Sequence, residues 1–273
     1  MKAIHITAII AAAVALAAST SLYATETDNR IESSFSKSYT YKVYLKDDAI
    51  KAESKNGVVI LTGQVNELSH KHLAQEALAG LPGVQRVDNR LEVKLEGTDK
   101  SDSWIRSKVR SILALHRNVD GGNTQVDIKD GVITLRGVAV SEAQKELTTE
   151  YADDVNGVLR VTNVMTVVKS TAKAIEKAPE PIDDASITAQ VRVALMLHRS
   201  TSSVSTTVAT SDGVVTVGGI AKNAAEKTLV SKLANDISGV KSVVNNMTIA
   251  PAVSANGVCP ARIGNTGLAN TES

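Results

Sequence analysis

Four histidines beyond the N-terminal apolar stretch, a group of tyrosines set among lysines, and arginines one helical turn apart are the side chains here whose types and spacing could do chemistry. His70 and His72 stand two apart at the start of a predicted helix, so they point to different sides. No cysteine or acidic cluster completes a metal set around them, and a solvated helix start is the expectation. His116 and His198 end predicted helices in the same Leu-x-x-His-Arg setting, where packing or a favourable charge at a helix C-terminus accounts for them. The serines include no Gly-x-Ser-x-Gly elbow. The glycine-rich segments lack the Gly-Lys-Ser/Thr ending of a phosphate loop and open strands rather than helices. No catalytic, metal or cofactor residue is expected.

The basic and aromatic groups point to binding rather than to reaction. Arg106 and Arg110 lie one turn apart, with Lys108 and Arg117 nearby, and Arg192 and Arg199 are their counterparts further on. A face of that kind gains about 1 kcal/mol per charge beside acidic phospholipid heads. Tyr39, Tyr41 and Tyr44 alternate with Lys42 and Lys46 in a predicted loop, and tyrosine suits a contact that is apolar on one side and wet on the other. Tyr41, Tyr44, Lys42, Lys46, Arg106 and Arg110 are therefore the candidate lipid- or client-binding residues, with Tyr41 or Tyr44 expected to be exposed.

The elements that must position these groups come in three copies. Asn56-Gly57-Val58-Val59-Ile60-Leu61-Thr62-Gly63 returns as Asp130-Gly131-Val132-Ile133-Thr134-Leu135-Arg136-Gly137, and again as Asp212-Gly213-Val214-Val215-Thr216-Val217-Gly218-Gly219. A second Gly-Val pair follows 26 residues after the first in each copy, at Gly83, Gly157 and Gly239, and an asparagine follows 6 residues later, at Asn89, Asn163 and Asn245. Such repetition fixes architecture before any other feature does. Each copy reads as a capped helix, two short strands joined by an Asx-Gly hairpin turn, a second helix and a third strand. Gly57, Gly63, Gly131, Gly137, Gly213 and Gly219 are structural turn residues. Strand alternation puts Val59, Leu61, Ile133, Leu135, Val215 and Val217 in the core. The second helices step by four residues through Ser69, Leu73, Ala77 and Leu81 and their equivalents, which predicts that Leu73, Leu147, Leu229 and Leu233 are buried. The fold class is α+β: three tandem αββαβ modules, each a three-stranded mixed sheet with two helices packed on one face.

The Asp/Asn-Gly-Val-Val/Ile-x-Leu/Val-x-Gly motif, with its later Gly-Val-x-x-Val-x-Asn, resembles the BON domain of osmotically induced periplasmic proteins. The resemblance covers three repeats, 27–96, 101–170 and 182–250. Copy one departs from it at Tyr39–Lys46, which replaces the Leu-x-x-His-Arg ending. The resemblance implies a non-enzymatic exported module that binds phospholipid surfaces or protects envelope proteins in a chaperone-like way, with no cofactor.

The remaining segments fit an exported chain. Residues 1–24 read as a signal peptide, with Lys2 ahead of a 13-residue apolar stretch from Ile6 to Ala18. That stretch is too short to span a bilayer core of about 30 Å, so no transmembrane span is expected after cleavage, and the expected location is the periplasm. Without Lys2 the chain carries 29 basic and 29 acidic residues, a balance that argues against a nucleic-acid partner. Residues 171–181, with Pro179-Glu180-Pro181, form a linker, and 251–273 a disordered tail holding Cys259, the only cysteine. The short hinge between copies one and two predicts close docking there and a looser third copy. Two function classes follow. One is an envelope-stress protein binding anionic phospholipid surfaces or unfolded envelope clients. The other is a structural adaptor that docks a specific outer-membrane or cell-surface complex.

Overall fold

A computed structural model of the chain describes residues 26–94, 101–168, 181–201 and 206–250. The expected signal peptide, most of the linker, the tail and Cys259 lie outside them. Module 1 runs α1 (26–37), a π-helical turn (Tyr41–Leu45), β1 (Ala49–Lys55), β2 (Val58–Val65), α2 (Leu68–Ala79), β3 (Arg86–Asn89) and β4 (Glu92–Val93). Module 2 runs α3 (Asp102–Leu115), β5 (Gln125–Lys129), β6 (Val132–Arg136), β7 (Val138–Ala139), α4 (Glu142–Asp153), β8 (Arg160–Asn163) and β9 (Thr166–Val167). Module 3 runs α5 (Asp184–Leu197), β10 (Thr206–Ser211), β11 (Val214–Ala221), α6 (Ala224–Asn235), β12 (Ser242–Asn245) and β13 (Thr248–Ile249).

Each sheet is mixed because each hairpin is followed by a helical crossover. In module 1, β2 pairs antiparallel with β1 and parallel with β3 and β4. Module 3 repeats the pattern, and module 2 divides its central strand, so that β6 pairs with β5 and β8 while β7 pairs with β9. The hairpin turns have positive φ at both central residues, 53° and 76° at Asn56-Gly57, 50° and 76° at Asp130-Gly131, and 52° and 78° at Asp212-Gly213. That is the turn whose twist matches the flanking strands. Gly63 serves a different need. Its φ is 115°, and a Cβ there would fall 1.8 Å from the Ala49 carbonyl oxygen.

The third strand of each module breaks at its asparagine. The Asn89 Nδ2 donates to the Lys71 carbonyl at 2.9 Å while its Oδ1 accepts from the Leu91 amide at 3.1 Å. Asn163 and Asn245 repeat both contacts on Lys145 and Met165, and on Lys227 and Met247. The asparagine thus ties the strand break to the second helix.

The core contains Val59, Leu61, Leu73, Ile133, Leu135, Val215, Val217 and Leu233, as the alternation and helix pattern predict. Leu147 and Leu229 correct the expectation, because both are only half-buried. The buried residues of α4 are Thr148, Tyr151 and Ala152, a stripe displaced around the helix from the predicted one. Leu73 is fully buried because α2 packs on α5 and α3 as well as on its own sheet.

The third module is not loosely held. α5 is buried nearly all round, from Ser186 through Leu197, and it touches α2 of module 1 and α3 of module 2 in addition to α6 and β10. Short spacing between copies one and two therefore misled. Proximity in sequence did not set the packing; the apolar residues of α5 and its buried Ser186 and Gln190 did.

Candidate functional site

The segment Tyr39–Lys46 is helical rather than a loop. Thr40 carries helical φ and ψ, and the π-helical turn Tyr41–Leu45 follows it. Its polar groups are spent on module 3. The Tyr39 amide donates to Asp183 at 3.0 Å, the Thr40 amide to the Ser186 hydroxyl at 3.0 Å, and the Tyr44 hydroxyl to Gln190 Oε1 at 3.2 Å. Tyr41 packs edge-on against Phe35 with ring centres 5.3 Å apart. Tyr41 and Tyr44 are both half-buried, so neither offers a freely exposed ring. Burial, with a smaller contribution from Tyr39, pushes the Tyr44 phenol well above its ordinary pKa. Lys42 and Lys46 are exposed.

The candidates from separate repeats nonetheless meet. A cleft of about 430 Å³ between modules 1 and 2 is lined by Tyr44, Glu67, His70, Arg106 and Arg110, among others. A neighbouring recess of about 570 Å³ shares those five residues and runs along β5 toward Asp127. Tyr41, Lys42 and Lys46 do not line either space. Helix α3 positions the two arginines, since residues four apart lie on one face and Ile105, Val109 and Ile112 hold the opposite stripe in the core.

The charges of the cleft are unequally satisfied. Arg110 stands 3.8 Å from Glu67 and is 61% exposed. Glu67 also accepts from the Ser111 hydroxyl at 2.7 Å, and Ser111 lies 2.5 Å from Ser69, so module 1 and module 2 share a small polar seam. The Nε of Arg106 is buried with no hydrogen-bond partner, an arrangement that costs about 1–3 kcal/mol unless something else accepts from it. The floor of the cleft is fixed by His70, whose Nδ1 lies 2.6 Å from Asp48.

The other basic candidates are ties between modules rather than a solvated face. Arg117 donates to the carbonyls of Val240 and Asn235. Arg192 pairs with Glu76 at 2.9 Å and donates to the Val208 carbonyl. Arg199 pairs with Asp153 at 2.9 Å; Lys108, by contrast, stays within α3, 3.7 Å above the Trp104 ring.

His70 and His72 depart from the solvated helix start expected of them, both being half-buried, whereas His116 and His198 are packed at their helix ends as expected. His72 lines a pocket of about 260 Å³ between α2 and α5, where burial lowers its pKa against the opposing pull of Glu76. His116 and His198 are each 2% exposed and face one another across modules 2 and 3, Nε2 to Nε2 at 3.1 Å. Sequence reasoning placed these two correctly at equivalent helix ends but not against each other.

One triplicate contact was missed altogether. Asp28, Asp102 and Asp184 each hold both turn amides of the following hairpin, Asn56 and Gly57, Asp130 and Gly131, Asp212 and Gly213, at 2.7–3.0 Å. The signal was present as a constant offset of 28 residues from aspartate to turn.

Among the described residues no helix is long and apolar enough to cross a membrane, and no group of three or more metal-ligating side chains forms. The family model described as the BON domain matches residues 27–94, 101–169 and 183–251. The chain is 28% identical over 163 residues to Osmotically-inducible protein Y of Escherichia coli (strain K12), covering 60% of this chain and 79% of that protein. It is 32% identical over 128 residues to Outer membrane lipoprotein DolP of Haemophilus influenzae, covering 44% of this chain and 66% of that protein, just under two thirds. A solved structure of CdsD, a structural protein of the type III secretion system of Chlamydia trachomatis, aligns over 78% of this chain and 91% of its own at 15% identity. Its TM-score is 0.23, too low to carry weight.

Proposed function

The chain belongs to the BON domain family, and from that premise we propose that it is a non-enzymatic periplasmic protein of the envelope stress response. In this reading it is exported by its N-terminal signal and binds anionic phospholipid headgroups, or unfolded envelope clients presenting acidic groups, in the cleft between modules 1 and 2. The relation to an osmotically inducible protein and to an outer-membrane lipoprotein supports the setting. The observation that carries the site is the convergence of Tyr44, Arg106 and Arg110 on one cleft, with the Arg106 Nε left without an acceptor. An anionic oxygen that drew the Arg106 side chain outward would supply that acceptor, and a charge-assisted bond of this kind is among the stronger hydrogen bonds available.

Co-sedimentation of the full mature chain with vesicles tests this. Binding to vesicles containing acidic lipid is expected to exceed binding to purely zwitterionic ones and to weaken as salt is raised. Arg106→Ala with Arg110→Ala should remove most of it, at least fivefold, without loss of secondary structure. Equal binding by that variant would reject the cleft. Tyr44→Phe should change vesicle binding less, because its hydroxyl is spent on Gln190.

One observation favours the adaptor reading. Val138, Val140, Val164 and Val168 are each half-exposed on the outer sheet face of module 2. Module 1 has Gln64, Asn66, Arg90 and Lys94 at the equivalent places. An apolar patch of this kind, of which module 3 keeps only Ile220, suits a protein partner, and stoichiometric recovery of one envelope protein, lost on Val138→Lys with Val164→Lys, would support it.

A further inference from the structure

The boundary between modules 2 and 3 is built reciprocally. The first helix of each module ends in a histidine that reaches the end of the other module's second helix. His116 makes a backbone bridge to Ile237, and His198 to Val155. The Arg117 amide donates to the Asp236 carbonyl at 3.0 Å, and the Arg199 amide to the Asp154 carbonyl at 2.9 Å. This is the logic of a two-fold interface, residue i on j and j on i, realised between two repeats of one chain.

Between these strips lies a buried polar chain. Asp154 Oδ2 is 2.9 Å from His198 Nδ1, His198 Nε2 is 3.1 Å from His116 Nε2, and His116 Nδ1 is 3.3 Å from Asp236 Oδ2. Tyr151 stacks on His116 at 4.1 Å and donates its hydroxyl to the same Asp236 oxygen. Asn118 donates to the other oxygen of Asp236, and Ser200 to Asp154. The remaining charges at the boundary are Arg117 and Arg199, with Asp153 paired to Arg199.

Counting protons decides what this arrangement tolerates. Two neutral imidazoles bring two protons. One satisfies the link between the rings, and only one ring can donate there. The second belongs on His198 Nδ1, whose distance to Asp154 is that of a hydrogen bond. His116 Nδ1 is then bare, which agrees with its longer separation from Asp236 and its lack of a hydrogen-bond partner. A third proton could enter only at His116 Nδ1. A fourth has no place, because it would set two N–H groups against each other at 3.1 Å.

We propose that His116 and His198 form a proton-sensitive clamp that holds modules 2 and 3 together near neutral pH and releases them on acidification. Burial, the largest influence, lowers the His116 pKa below 6.5, His198 lowers it further, and Asp236 opposes both. The sign follows from the depressed value. The clamp's contribution is complete above about 6.5, the ordinary histidine value, and is lost as pH falls below it, because the open state binds the third proton more readily than the closed state and alone has room for the fourth.

Hydrogen exchange of the full mature chain tests the clamp through the two boundary amides. After correction for the intrinsic effect of pH, the protection factors of the Arg117 and Arg199 amides should fall at least tenfold between pH 7.5 and 5.0. Those of Ile133 and Leu135 in the module 2 sheet should stay within threefold. His116→Phe with His198→Phe, which keeps ring packing and removes the protons, should abolish the difference. Ring-nitrogen NMR of the unmodified chain at pH 7.5 should show His198 protonated at Nδ1 and His116 at Nε2, and this reading stands whether or not the double variant folds. Unchanged protection at pH 5.0, two imidazolium rings at pH 7.5, or a pH response that survives in a folded double variant would overturn the proposal.

Discussion

Asp28 illustrates how much a single repeated side chain can do and how easily it is overlooked. It sits at the start of α1 yet spends its carboxylate on the turn between β1 and β2, accepting from Asn56, Gly57 and the Ser54 hydroxyl. Burial, the largest influence, raises its pKa, but the hydrogen bonds from Gly57, Ser54 and Asn56 together outweigh it and hold the group below 3.8. Its contribution is therefore present above pH 3.8 and lost as the pH falls through the lower folded value. Asp28→Ala is expected to cost about 1–3 kcal/mol in denaturant unfolding at pH 7, since it strands two turn amides, and the gap to the parent chain should shrink below pH 3. A cost that does not change with pH would show that the carboxylate's charge is not what the turn uses. At this scale the sequence was half legible. The turn glycines and asparagines announced themselves by spacing, whereas the aspartates did not, because their partners lie on another element. Asp183, one residue before Asp184, caps α5 through the Ser186 amide, so adjacent aspartates do different jobs.

At the scale of elements, periodicity named the two main helices and three main strands of each module but not the short strands β4, β7, β9 and β13, and it placed Leu147 and Leu229 wrongly. Stepping by four residues along a helix advances about 400°, so each step drifts about 40° and three steps about 120°. A column such as Ala143, Leu147, Tyr151 and Val155 cannot stay on one buried line. Its later members are in the core, Leu147 is at the margin and Ala143 is exposed. In module 1 the same column is buried through Leu73 and Ala77 because α5 covers the side that solvent covers in module 2. The consequence is measurable as a contrast between equivalent residues. Leu73→Ala should cost about 2–5 kcal/mol, in the range for a fully buried leucine, while Leu147→Ala should cost less than half as much. Matching losses in urea unfolding would mean that α4 is covered in solution by something that the modules of one chain do not supply. The Tyr39–Lys46 segment failed for a related reason. Its polar–aromatic alternation reads as a loop in isolation, and only the Asp183, Ser186 and Gln190 side chains of another module make it a helical turn.

The whole molecule is organised by α5, and that was the least legible feature of all. A linker rich in proline and charge predicts a detachable third module, yet Ile187, Ala189, Val191, Val193, Ala194, Leu195 and Leu197 are buried together with Ser186, Thr188 and Gln190, which leaves this helix almost no solvent face. A helix whose apolar side chains spread over so much of its circumference must be enclosed, and its own module encloses only one side. The remainder is covered by α2 and α3 and secured by Arg192 on Glu76 and by the boundary around His116. Small modules of this size are marginal alone, burying only about 60% of their chain surface, so sharing one helix among three of them links their stabilities. Calorimetry of the full mature chain at pH 7.5 should therefore give one transition, with calorimetric and van't Hoff enthalpies agreeing within about 20%, as for a single cooperative unit. A chain ending at residue 168, which keeps modules 1 and 2 but leaves α2 and α3 uncovered, should melt at least 10 °C lower. Three separable transitions, or a truncated chain that melts with the parent, would show that the modules fold independently and that α5 is a contact without consequence.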